Sequence, residues 1–169
     1  PVRKNKPKLV FSASFDDGFA AERAGGDAAP VKTNGVELVE GRRGRGVRFS
    51  REARSDLAWR VKGNLNPARG TVAFWLKREN PESGDWRTLF FCPGAQKRGG
   101  GTLNFWCLGK AIRLDRHDLD RHEQYVYPNW KALGDGWHYY AVTWDGERTI
   151  LYIDGRPTPQ HMDEKHNDD

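Results

Sequence analysis

A chain of 169 residues, 37% of them hydrophobic, can build one domain with a full core, whereas two domains would each be left with a thin one. Seven Trp and eight Phe concentrate burial into large side chains, which places the chain among globular proteins with polar loops. No apolar run approaches the roughly 20 residues of a bilayer-spanning helix, and 28 basic residues scattered among 23 acidic ones make the net charge of +5 a weak pointer to an anionic partner.

In chain order, residues 1–8 form an exposed arm, and "PKLVFSASF" reads as a first strand ending at the turn Asp16-Asp17-Gly18. The small, Gly-rich stretch 20–38 reads as loop with a short strand at Val36–Val39. "GVRFS" and "DLAWRV" are short strands, and "GTVAFWLKR" is a strong one, set off by the turn residues Asn64, Pro67 and Gly70. "WRTLFFC", "GTLNFWCLG" and "AIRLDRH" follow, with "EQYVYP" a weaker candidate. Apolar residues nowhere recur at helical spacing over a long window, so the reading is a mostly β sandwich or barrel.

The clearest element is "DGWHYYAVTWDGERTILYIDGRP". Two β-rich runs joined by Asp145-Gly146 make a hairpin, and Asp154-Gly155 marks a second turn. Alternation puts Tyr140, Val142 and Trp144 on one face and Tyr139, Ala141 and Thr143 on the other. The first set is expected to be buried together with Leu151 or Tyr152. Cys92 and Cys107 are expected as free, buried thiols. If their strands pair around "PGAQKRGGG", an offset of roughly four residues at ~3.3 Å each holds the Cα atoms more than ~10 Å apart.

Taken together, "FSASFDDGF", "GRRGRGVRFS", "GTVAFWLKR", "WRTLFF", "GTLNFWCLG-AIRL" and above all Gly-Trp-His, three residues, Val-Thr-Trp-Asp-Gly, then Leu-Tyr-Ile-Asp-Gly resemble the LamG-like, concanavalin A-like domains. The resemblance spans roughly residues 9–156, within a domain drawn at 9–157, with 158–169 as a polar tail. It implies an all-β, two-sheet antiparallel jelly-roll sandwich. It also implies that the glycines of "GRRGRGVRF" sit at tight turns with the arginines toward solvent, a reading preferred to a polyanion-binding patch. Such domains usually continue into further strands, so the sequence is read as a piece of a longer polypeptide whose open sheet edge a partner chain could complete.

Site candidates are of three kinds. Trp86, Trp106, Tyr125, Tyr127 and Trp130 could stack on a sugar's C–H face, with His117 and Arg121 as hydrogen-bonding neighbours in "DRHDLDRHEQYVYPNW", expected as a loop or irregular strand at one end of the sandwich. Trp75, Trp137 and Trp144 are assigned to core or support. Asp16 and Asp17 stand where related domains often hold a rim Ca²⁺, but two carboxylates supply a fraction of the six to eight oxygens that ion takes, so a capped turn is preferred. His117, Asp118, Asp120 and His122 lack a strong zinc spacing and read as a charged loop.

No Glu-x-Asp-x-x-Glu or other acidic pair marks a strand, and no Gly-x-Ser-x-Gly elbow is present, so catalysis is not expected. The expectation is a non-catalytic module that binds glycan or another extracellular ligand within a larger secreted, periplasmic or surface protein. Two alternatives stand beside it. One is an assembly domain completed by a partner strand, and the weaker one is a glycan-degrading enzyme.

Overall fold

The computed structural model describes residues 7–79, 87–92, 102–108, 111–118, 121–127, 133–145 and 148–158; of 87, 102, 108, 111, 116–118 and 121–127 the backbone alone is described. Apart from a 3-10 turn at Leu133, the regular elements among these residues are β-strands, and they fall into two compact units, Pro1–Asn66 and Pro67–Asp169. No helix among the described residues is long and apolar enough to cross a membrane.

The first unit consists of three antiparallel strand pairs. β1 (Phe11–Ser12) pairs with β2 (Arg23–Ala24), β3 (Lys32–Asn34) with β6 (Asp56–Ala58), and β4 (Val36–Glu40) with β5 (Arg45–Phe49). The expected first strand over "PKLVFSASF" is therefore only two residues long, because Phe15 turns into positive φ (72°) directly before the Asp16-Asp17 turn. "DLAWRV" likewise ends at Ala58, and the stretch expected as loop contains β2 and β3. The unit is tied together by Asn64, which is 5% exposed. Its Nδ2 donates to the carbonyls of Asp27 (2.8 Å) and Arg60 (3.0 Å), and its Oδ1 accepts from Gly26 N–H (2.9 Å). Gly26 approaches so closely that a Cβ there would lie 2.1 Å from the Lys62 carbonyl oxygen. As expected, the arginines of "GRRGRGVRF" are exposed, and Gly44 takes positive φ (57°) in the turn between β4 and β5.

The second unit is a two-sheet sandwich. β7 (Gly70–Lys77), β12 (Trp137–Trp144), β13 (Thr149–Ile153) and β14 (Arg156–Pro157) form one antiparallel sheet in the order β14-β13-β12-β7. β8 (Arg87–Cys92), β9 (Thr102–Leu108), β10 (Ala111–Asp118) and β11 (Arg121–Tyr127) form the other as a meander, β11-β10-β9-β8. The chain leaves the first sheet after β7, builds the whole second sheet, and returns to lay β12 beside β7. Their facing sides close on Phe74, Phe105 and Tyr140, whose ring centroids are 5.8–6.0 Å apart. Ile112, Leu114, Val142 and Leu151 are buried around them. At about 25 cal/mol per Å² of apolar surface removed from water, each large ring that meets its partners across the sheets contributes more than a smaller side chain could.

The hairpin β12–β13 has the expected faces. Tyr140, Val142 and Trp144 are buried, and the choice between Leu151 and Tyr152 falls to Leu151. Asp154 (φ 50°) and Gly155 (φ 78°) both adopt left-handed backbone, the requirement of a type I′ turn between β13 and β14. Cys92 and Cys107 are free and buried. Cys92 pairs in register with Leu103, four positions from Cys107, so the offset is the one anticipated.

Two expectations are corrected. The charged-loop reading around His117, Asp118 and His122 gives way to strand, the alternative left open for "DRHDLDRHEQYVYPNW" and already expected for "AIRLDRH": β10 and β11 pair continuously from Ile112↔Tyr127 to Asp118↔Arg121. That register sets Arg116 opposite Glu123 and Asp118 opposite Arg121. Trp75 is not core but 44% exposed. The inward set of β7 is Val72, Phe74 and Leu76, and Trp75 has the opposite parity.

Candidate functional site

Trp75 belongs to a solvent-facing aromatic pair on the sandwich. On the outer face of the β7–β12 pair, Trp75 stands directly across from Tyr139, with ring centroids 5.3 Å apart and planes inclined by 51°. Tyr139 is 37% exposed, so two large rings in contact present a joint apolar surface to water. Neither ring is held there by core burial. The next rung is Ala73 opposite Ala141, and the rung after it is Thr71 opposite Thr143. Tyr152 on β13 lies opposite Ala141 and is half-buried, as is Trp137 on the same face as Tyr139.

Asp154 fixes Tyr139 from the neighbouring turn. Its Oδ1 accepts the Tyr139 N–H (2.9 Å), its own N–H donates to the Tyr139 carbonyl (2.8 Å), and its Oδ2 takes the Nδ1–H of His138 (2.7 Å). The His138 hydrogen bond, followed by the Tyr139 N–H, holds the Asp154 carboxyl below the usual aspartate range. An ionised carboxylate thus clamps the backbone of one of the two exposed rings.

The residues singled out from sequence are placed differently. Trp106 is 4% exposed, donates its Nε1–H to Asp115, and lies under the Arg113 guanidinium, 5.1 Å from the ring centroid. Its ring is covered, so it presents no face for a ligand to stack on. Asn104 and Arg113 complete this covered block, with Asn104 opposite Asp115 and Trp106 opposite Arg113. Tyr125 and Tyr127 lie on β11 in register with Leu114 and Ile112, His117 with His122, and Arg121 with Asp118. Trp86, Trp130 and Asp120 are outside the described residues.

Asp16 and Asp17 are exposed, and Asp16 serves a turn. Its Oδ1 accepts the Arg45 N–H (2.8 Å), and the adjoining Gly44 is a position where a Cβ would sit 2.1 Å from that oxygen. Glu22 spends both oxygens on Ser14, whose backbone N–H reaches them at 2.8 and 3.0 Å and whose hydroxyl donates to Oε1 at 2.5 Å. The Ser14 hydroxyl lowers the Glu22 pKa despite partial desolvation. Asp16 Oδ1 and both Glu22 oxygens thus face N–H and O–H donors, the arrangement of a capped turn, and no cluster of three or more metal-ligating side chains occurs among the described residues.

Sequence reasoning missed Trp75 and Tyr139 as a site because it weighed aromatic content over parity. The signal was present: Trp75 shares its face with Thr71 and Lys77, two residues that a core face would not carry.

An antiparallel sandwich of two four-stranded sheets that presents aromatic rings on an outer face belongs to the class of β-sandwich domains. Within that class, the family model Laminin_G_3, described as the concanavalin A-like lectin/glucanases superfamily, matches residues 52–167. The match covers well over half of the chain, and the chain belongs to this family. β1 to β5 precede the matched region. No curated protein and no solved structure matches the chain.

Proposed function

We propose that this chain is a non-catalytic recognition module that binds glycan through the Trp75–Tyr139 platform, as part of an extracellular or surface protein. The observation that carries the reading is the exposed, contacting pair of rings on a regular sheet face, 44% and 37% exposed. A sugar's C–H face removes apolar ring surface from water when it stacks, and a β-sheet holds both rings without a cost for ordering them at the moment of binding. Membership of the lectin/glucanase superfamily supports a carbohydrate ligand by analogy. The non-catalytic part rests on sequence, which contains no Glu-x-Asp-x-x-Glu pattern.

The test is a glycan array with the purified chain, with and without chelator. Binding to a defined glycan class is expected, unchanged by chelator and reduced at least tenfold, about 1.4 kcal/mol, by Trp75→Ala or Tyr139→Ala. A folded protein that binds no glycan, or whose binding survives both substitutions, would sink the reading.

A second reading has one specific observation behind it. β7 ends its sheet among the described strands, and an eight-residue edge can accept a further strand from another chain. It predicts a molecular mass that rises with protein concentration in light scattering, whereas the glycan reading is compatible with a constant mass.

A further inference from the structure

The outer face around the platform also bears on what kind of glycan it takes, an inference that rests on the glycan reading above. Three consecutive rungs of the β7–β12 pair share this face: Trp75–Tyr139, Ala73–Ala141 and Thr71–Thr143. Their heights differ in order. Two rings stand at one end, the alanines form a low step beside them, and two hydroxyl-bearing side chains follow. Four steps of ~3.3 Å along the strand, from Thr71 to Trp75, make the trough about 13 Å long, more than one pyranose ring can fill. Tyr152, opposite Ala141, raises one side of the low step, and on the other side β7 ends the sheet among the described strands.

Charge narrows the ligand further. The outward positions of β7, β12 and β13 contain one cation, Lys77, beyond the aromatic end, and no carboxylate. A polyanionic glycan would find no row of cations along the trough, whereas a neutral one desolvates no charge to enter it.

We propose that the face binds the interior of a neutral, extended oligosaccharide laid along β7 and β12. One pyranose ring stacks on Trp75 and Tyr139, its neighbour rides over Ala73 and Ala141, and hydroxyls beyond it exchange hydrogen bonds with Thr71 and Thr143. Alanine at the middle rung is then a requirement of the ligand: a larger side chain there would block the chain's path while leaving the rings untouched.

The experiment is calorimetric titration with neutral gluco-, manno- and xylo-oligosaccharides from mono- to hexasaccharide, on the intact chain and on Ala73→Ile, Thr143→Val and Trp75→Ala, each checked for folding by circular dichroism. For at least one ladder, affinity should rise at least tenfold from mono- to trisaccharide and then level off. Ala73→Ile should erase that gain, and Thr143→Val, which keeps the shape of the side chain, should reduce it about threefold or more. Trp75→Ala should abolish binding of every length. Monosaccharide binding as tight as trisaccharide binding, or full trisaccharide affinity in both Ala73→Ile and Thr143→Val, would overturn the trough while leaving the platform as a glycan site. Binding confined to acidic glycans on the array would overturn the neutral class. Loss of all glycan binding in the folded parent chain would instead remove the reading on which the trough depends.

Discussion

Asp154 does more than close a turn. It sits in left-handed backbone, where Asp and Asn are tolerated better than most side chains, and from there its carboxylate receives both the His138 ring and the Tyr139 N–H. Because its folded pKa is depressed, the stability it contributes is complete above the ordinary aspartate value of about 3.9 and is lost as pH falls through the lower folded value. Asp154→Asn keeps the turn preference and removes the charge. Urea unfolding at a series of pH values should show the variant destabilised near neutrality by less than about 1 kcal/mol, as suits a carboxylate whose side chain is 45% exposed, and lacking part of the parent's decline below pH ~4. Equal slopes for parent and variant would show that the carboxylate's charge contributes nothing. The buried thiols belong to the same scale: burial pushes the Cys92 thiol up, which suits an inert structural sulfur more than a nucleophile.

At the scale of elements, the hairpin β12–β13 divides its residues sharply between core and surface. Leu151 is 2% exposed, whereas Tyr152, one residue on, looks outward beside Ala141. Leu151→Ala should therefore cost about 2–4 kcal/mol of unfolding free energy by leaving a cavity between the sheets. Tyr152→Ala should cost less, under about 1.5 kcal/mol, since the ring is only half-buried and its loss opens no cavity between the sheets. Comparable denaturation midpoints for the two variants would contradict the assigned faces. Backbone proximity constrains the sheet's edge too. A Cβ at Gly70 would approach the Trp144 ring to 2.9 Å, so the first residue of β7 is glycine for lack of room. The Trp144 Nε1–H then reaches the Pro67 carbonyl at 2.9 Å, which satisfies the one polar atom of a buried indole.

At the scale of the molecule, the two units differ in how their backbones are supported. The sandwich holds four strands with ladders on both sides, β9, β10, β12 and β13, whereas every strand of the first unit has a single partner. An isolated strand pair is marginal in water, and the first unit relies instead on specific contacts such as the three hydrogen bonds of Asn64. Native-state hydrogen exchange should accordingly find the slowest amides in β9, β10, β12 and β13, protected by more than about tenfold over those of β1 to β6. Uniform protection across both units would show that the chain opens only as a whole.

Local pattern was enough for the β class, the hairpin with its two faces, the free thiols and the solvent-facing arginines of "GRRGRGVRF", because alternation, Asp-Gly turns and strand offset act over a few residues. The same rule applied to β7 already separates Val72, Phe74 and Leu76 from Thr71, Trp75 and Lys77, so half of the platform was legible as a parity. What no local pattern contains is which residue stands opposite which. The partnership of Trp75 with Tyr139 joins positions 64 apart, the covering of Trp106 depends on Arg113 and Asp115 on the next strand, and the continuous pairing of β10 with β11 overrides a run of charges that by composition reads as loop. Register between distant strands is set by how the whole core closes, and only after Phe74, Phe105 and Tyr140 have met are the outer rings brought together.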